Sequence, residues 1–139
     1  MTRAVILDCY VDEPSCLGVP PYIAPYPRYV AGALAAAGVG EIFYHTIDDV
    51  RKNPLLVDFL SASKLVIVIG GVAVPGKYLG GTPASPAEIE RVMKDVHTTK
   101  ILGGPLPKFG FGAVGGRIAR AVDEESFDLV IYGDIEAAV

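Results

Sequence analysis

Several residues in this sequence could carry chemistry. Asp8, Asp12 and Glu13 lie at or just after the apolar run Ala4–Leu7. Acids at the end of a first strand can hold magnesium, but a phospho-acceptor site of that kind also needs an aspartate after the third strand. Gly70 stands there instead, which leaves Asp8 as a capping residue. Gly70–Gly71 and Gly103–Gly104 follow two further apolar runs. Glycine pairs at strand ends let a ligand approach the backbone closely, and they also serve simply as turn residues. Gly110–Phe–Gly112–Ala–Val–Gly115 satisfies G-x-G-x-x-G. A dinucleotide site wants that pattern directly after the first strand. Here Pro105–Leu–Pro107–Lys–Phe109 intervenes, and the unit is the fourth. The helix start at Gly116–Arg117 could still offer free N–H groups to a phosphate. Cys9 and Cys16 have no histidine close by, whereas a structural metal site takes about four ligands. His45 and His97 fall on other elements, and no nucleophile–base pair emerges.

The elements that must position these residues alternate regularly. Ala4–Leu7 reads as a buried strand. Tyr29, Val30, Ala33, Leu34 and Ala37 recur at helical spacing, with Pro27 near the start and Gly38 past the end. Glu41–Thr46 is a second strand. Asn53 and Pro54 read as N-cap and first residue of a helix with Leu55, Leu56, Phe59 and Leu60 as its stripe. Leu65–Ile69 is apolar on both faces, so helices should cover both sides of it. Ser85–Pro–Ala–Glu88 is a capping-box pattern, leading a helix through Ile89, Val92, Met93 and Val96. Lys100–Leu102 is a fourth strand, Arg117–Val122 a short helix and Leu129–Tyr132 a fifth strand. Five such alternations predict an α/β domain with a five-stranded parallel sheet and right-handed crossovers.

The connections differ by direction. Helix-to-strand links are tight, as at Gly38–Val39–Gly40. Three strand-to-helix links, in 11–26, 70–84 and 103–116, are long, about fourteen to sixteen residues against the usual two to six. All three leave the carboxyl end of the sheet, where open parallel sheets bind ligands. The first carries Pro14, Pro20, Pro21, Pro25 and Pro27 among Tyr10, Tyr22, Tyr26 and Tyr29. Proline stiffens it and tyrosine supplies flat amphipathic area, which suits a large flat ligand, another protein surface or packing over the sheet end.

The 139 residues fit one domain, 1–139. A net charge of −4 argues against a general nucleic-acid partner. No apolar run is long enough for a membrane span. Two cysteines do not make a disulfide framework. A soluble, cytoplasmic protein is the expectation.

Asp12–Glu–Pro–Ser–Cys–Leu–Gly–Val–Pro–Pro–Tyr22, Pro25–Tyr–Pro–Arg–Tyr29, the two glycine pairs and the final Val130–Ile–Tyr–Gly133–Asp–Ile–Glu136 resemble the N-terminal domain of cobalamin-binding-domain radical S-adenosylmethionine proteins. The likeness covers the whole chain. It implies a three-layer α/β/α, flavodoxin-like domain of the cobalamin-binding type. Cobalamin would lie on the loop end, with Asp12, Gly70, Gly71, Gly103, Gly104 and Gly133 as cofactor-binding residues. The resemblance also implies a downstream catalytic domain holding a four-iron, four-sulfur cluster and S-adenosylmethionine. This chain lacks the cysteine triplet for that cluster and reads as stopping before such a domain. It also departs from the family's Asp-x-His-x-x-Gly, for Asp12–Glu13–Pro14 carries no histidine to ligate cobalt.

Two main readings follow. The first is a module presenting cofactor or substrate to the downstream domain, with no catalysis of its own. The second is a degenerate domain that kept the fold as a structural or protein-interaction module. It predicts an exposed apolar patch at the loop end, open to burial in a homodimer. A weaker third reading is a nucleotide-binding enzyme using Gly110–Gly115.

Overall fold

The computed structural model describes residues 2–10, 25–71, 83–109 and 124–138. Five strands, β1 (Arg3–Asp8), β2 (Glu41–Thr46), β3 (Leu65–Ile69), β4 (Thr99–Gly103) and β5 (Leu129–Val130), form one sheet. Every pairing is parallel and the order is β2-β1-β3-β4-β5. That order is flavodoxin-like, and its direction reverses between β1 and β3. The expected α/β class, parallel sheet and flavodoxin-like architecture are therefore what the chain adopts.

The helices are α1 (Pro25–Ala36), α2 (Ile47–Lys52), α3 (Leu56–Ser61), α4 (Pro86–Met93), α5 (Leu106–Phe109) and α6 (Ile135–Ala138). Side-chain alternation in β1 and β3 sends successive residues to opposite faces. Val5, Leu7, Val66 and Val68 join Ile47, Val50 and Leu60 of α2 and α3 and Ile89 and Met93 of α4 in one buried cluster. Ala4, Ile6, Ile67 and Ile69 join Val30 and Leu34 of α1 and Ile135 of α6 in the other. Each large aliphatic side chain so buried contributes about 1.5–3 kcal/mol. The central strands are apolar throughout because both faces are covered.

Local chemistry fixes the element ends. Gly38 takes φ +87, and Val39 N–H closes on Leu34 O at 3.0 Å, terminating α1 where the sequence placed the stop. Val30 and Leu34 carry the buried stripe of α1, while Tyr29 and Ala37 point outward.

Several expected boundaries are corrected. The helix expected to open at Asn53–Pro54 begins at Leu56 as α3, and a separate helix, α2, which the sequence reading did not anticipate, precedes it. Thr46 and Asp49 form a capping box that starts α2 directly from β2. Asn53 then ends α2, giving its N–H to Asp49 O at 2.9 Å, and its Oδ1 accepts from Leu55 N at 3.2 Å. Leu55 is 73% exposed, so the buried stripe of α3 shrinks to Leu60 with Leu56 and Phe59 half-buried. α4 ends at Met93, although Val96 is still buried just beyond it. β5 stops at Val130, after which Ile131 N still donates to Leu102 O at 2.9 Å. The link after β4 is interrupted by α5, and the helix expected at Arg117–Val122 lies outside the described residues.

Candidate functional site

The carboxyl ends of β1 and β3 flank the point where strand order reverses. Asp8, the last residue of β1, is 2% exposed there. Its Oδ1 accepts from Tyr10 N at 2.9 Å, and its Oδ2 accepts from Tyr44 Oη at 2.7 Å. The first contact is the local capping role expected of this aspartate; the second ties β1 to β2. Burial pushes the Asp8 carboxyl above the usual range, against the lowering by its two donors. Burial likewise pushes the Tyr44 phenol up, reinforced by the neighbouring Asp8 charge. The Tyr44 proton therefore stays on oxygen and points at Asp8.

Tyr10 follows with φ +66, a left-handed backbone that a tyrosine seldom adopts. Its Oη donates to Asp48 Oδ2 at 2.8 Å. Asp48 also accepts from Arg51 Nη1 at 2.9 Å, and Arg51 grips both oxygens of Glu88 from Nε and Nη2, at 2.9 and 2.6 Å. Burial alone would raise Asp48, but the Tyr10 hydroxyl and the Arg51 guanidinium together hold it below the usual range. Glu88 fixes Arg51 as a cation. The chain leaving β1 is thus anchored to α2 and, through Arg51, to α4. Every buried polar side-chain atom among the described residues has a partner. The cluster fixes the backbone that leaves β1.

The structure brings three of the expected site residues together. Gly70 N donates to Gly103 O at 3.1 Å, and Leu106 N donates to Gly70 O at 3.0 Å. Gly104 has φ +85, and a Cβ there would meet Gly70 O at 2.5 Å. A Cβ on Gly70 would fall 2.7 Å from Leu106 Cδ2, and one on Gly103 would overlap Ile135. Their smallness is accounted for by α5 and α6 closing on the strand ends. Gly71 is buried beside Gly70, whereas Gly133 is exposed with open space around it. Asp12, Glu13, Cys16 and the Gly110–Gly115 pattern lie outside the described residues.

Neither histidine stands at the reversal point. His97 precedes β4, at the opposite, amino end of the sheet. His45, near the end of the outer strand β2, sits 3.4 Å from Asp49 Oδ2 and edge-on to Phe59. His45, Asp49, Lys52, Asn53 and Leu56 line an open hollow of about 430 Å³. Among the described residues no group of three or more His, Cys, Asp or Glu could hold a metal ion. No helix among them is long and apolar enough to cross a membrane.

The sequence reading missed Tyr44, Asp48 and Arg51, and it took Glu88 only as part of a capping box. Two signals were present. Thr46-x-x-Asp49 is a capping box, and Asp48 and Arg51 are spaced i, i+3 on the helix it starts.

No family model matches this chain, and no solved structure matches it. It is 44% identical over 140 residues to a protein of Methanocaldococcus jannaschii described as uncharacterized, covering 99% of this chain and 25% of that protein. It is 55% identical over 87 residues to an uncharacterized protein of Archaeoglobus fulgidus, covering 63% of this chain and 16% of that protein. The chain thus spans a quarter or less of the length of these relatives.

Proposed function

We propose that this chain is the flavodoxin-like module of a larger protein of the radical S-adenosylmethionine class, and that it presents a cofactor or substrate from the carboxyl end of its sheet. The observation that carries the location is the strand order. It reverses between β1 and β3, where sheets of this kind take their ligands, and Tyr10, Gly71 and Gly104 continue the chain from that end. The class rests on the likeness of Asp12–Tyr22, Pro25–Tyr29, the two glycine pairs and Val130–Glu136 to that family. The much greater length of both relatives is in keeping with a module of a larger protein.

Cobalamin is the ligand that the resemblance brings. The described residues do not fit a histidine-ligated cobalamin. His97 is at the wrong end of the sheet, and His45 lies on the outer strand beside Asp49. The space beside Gly70 and Gly103 is already taken by Leu106 and Ile135. Cobalamin would therefore bind without an imidazole from these residues. Titrating the purified chain with hydroxocobalamin tests this. The expected result is a shift in the cobalamin absorbance and co-elution with the protein on gel filtration. Neither change at saturating cobalamin removes the cofactor. A Cys-x-x-x-Cys-x-x-Cys in the remaining length of the two relatives is expected for the class, and its absence from both would overturn that assignment.

The filled glycine cradle favours a second reading, in which the same end packs against the rest of the parent protein and binds no cofactor. Loss of cobalamin binding together with tight association between this chain and the remainder of the parent would select it.

A further inference from the structure

Strand β2 lies at one margin of the sheet, and among the described residues nothing pairs with its outer side. Folded proteins blunt such strands with proline, lysine, bulges or shortness. β5, at the other margin, is only two residues long. β2 has six residues, Glu-Ile-Phe-Tyr-His-Thr, with no proline or lysine. Its pairing with β1 runs without a bulge from Arg3↔Glu41 to Asp8↔Thr46.

The direction of its backbone groups is fixed. Glu41 N donates to Thr2 O on the β1 side. Alternation then turns Phe43 and His45 toward β1 as well, and Ile42, Tyr44 and Thr46 outward. Thr46 N is already used by Asp49 Oδ2 at 2.8 Å. Among the described residues nothing accepts from the outward N–H groups of Ile42 and Tyr44.

We propose that two copies of this chain pair antiparallel through β2, giving one continuous ten-stranded sheet. Two-fold symmetry requires like-facing residues to oppose each other, which leaves few registers. Phe43 opposite its own counterpart sets Ile42 against Tyr44 of the second copy, twice, so that both residues use their outward N–H and C=O groups. That register also places Glu41, which accepts from Arg3 Nε at 3.4 Å, opposite His45 of the second copy, a polar pair across the seam. It brings together two Phe43 rings, each 37% exposed in the single chain. Aromatic pairs directly across an antiparallel pair are favourable. Shifting the centre to Tyr44 sets Ile42 against Thr46, whose N–H is spent, and separates Glu41 from His45.

Sedimentation equilibrium over a concentration series reaching about 100 µM, the range of weak specific pairs, reads the mass directly. The expected mass at the top is twice the 14.6 kDa of one chain. A single-chain mass throughout overturns the proposal. Ile42→Pro removes an outward N–H and no bond to β1, so it should return the protein to one chain with an unchanged circular-dichroism spectrum. A folded Ile42→Pro that still dimerises overturns the register. Amide exchange in the unmodified chain decides if that variant does not fold. The Ile42 and Tyr44 amides should slow with rising concentration; a dimer in which both stay fast refutes pairing through β2.

Discussion

The Tyr44 hydroxyl donates to Asp8 Oδ2 across the first two strands, at 2.7 Å. It is one of two donors, among the described residues, to a carboxyl group that is 2% exposed. Removing it leaves a buried carboxylate oxygen without a partner, at a cost of about 1–3 kcal/mol. Tyr44→Phe should therefore destabilise the chain by that amount in urea unfolding. In the Asp8→Ala background, which has no acceptor for it, the same substitution should cost less, because the two residues share one bond. Equal costs in both backgrounds would show that the bond contributes nothing.

The same pair sets a pH dependence. Asp8 has a folded pKa above its ordinary value. Above that raised value the folded chain bears the full penalty of a buried carboxylate. The penalty is relieved as pH falls through the folded value, and it vanishes below the unfolded one. The stability of the native chain relative to Asp8→Asn should thus fall with rising pH across the interval between the two values and stay flat above it. Asp48, held below its usual range, works in the opposite sense, losing its contribution as pH falls. The comparison with Asp8→Asn cancels it. Tyr44→Phe removes a lowering influence on Asp8 and should extend the interval upward. Urea midpoints from pH 4 to 8 check both statements; a relative stability that rises with pH contradicts them.

Gly103 is required by Ile135. A methyl group on Gly103 would overlap the Ile135 side chain, which is 1% exposed at the start of α6. Gly103→Ala should cost about 1–3 kcal/mol, the usual range for overpacking a filled core. Gly133→Ala, with open space around it, should change stability by no more than about 0.5 kcal/mol. Combining Gly103→Ala with Ile135→Ala should cost less than the sum of the single changes. Strict additivity would mean that the two sites do not meet.

How much of this was legible follows from the physics of each signal. β1 and β3 were readable because strands covered on both faces are apolar at every position, as Val5–Leu7 and Val66–Ile69 are. The stop of α1 was readable because Gly38 supplies a left-handed turn. The start of α2 was not, because Thr46 serves both as the last residue of β2 and as the N-cap of the helix. Asn53 misled because asparagine caps either end of a helix. The glycine pairs were visible as pairs, but what fills the space beside them comes from Leu106 and Ile135, distant in sequence from Gly70 and Gly103 respectively. The Tyr44–Asp8 and Arg51–Glu88 contacts join residues 36 and 37 positions apart, so no local spacing announces them.

The Arg51–Glu88 contact also explains why the Ser85–Glu88 pattern gives only half of its expected cap. Ser85 Oγ accepts from Glu88 N at 3.2 Å. The Glu88 carboxylate, which a full capping box would fold back to the Ser85 N–H, instead takes two bonds from Arg51. Thr46 and Asp49 make both bonds of their box. Thr46→Ala and Ser85→Ala should each lose about 1 kcal/mol, the usual worth of an N-cap oxygen. Asp49→Ala should cost α2 a bond to the Thr46 backbone, whereas Glu88→Ala should act through Arg51. A double-mutant cycle on Arg51 and Glu88 should give a coupling of about 0.2–1 kcal/mol, since the pair is partly solvated. That coupling should shrink as salt rises, and the loss from Ser85→Ala should not. A salt-independent coupling would show that Glu88 supports α4 as a cap and not as the partner of Arg51.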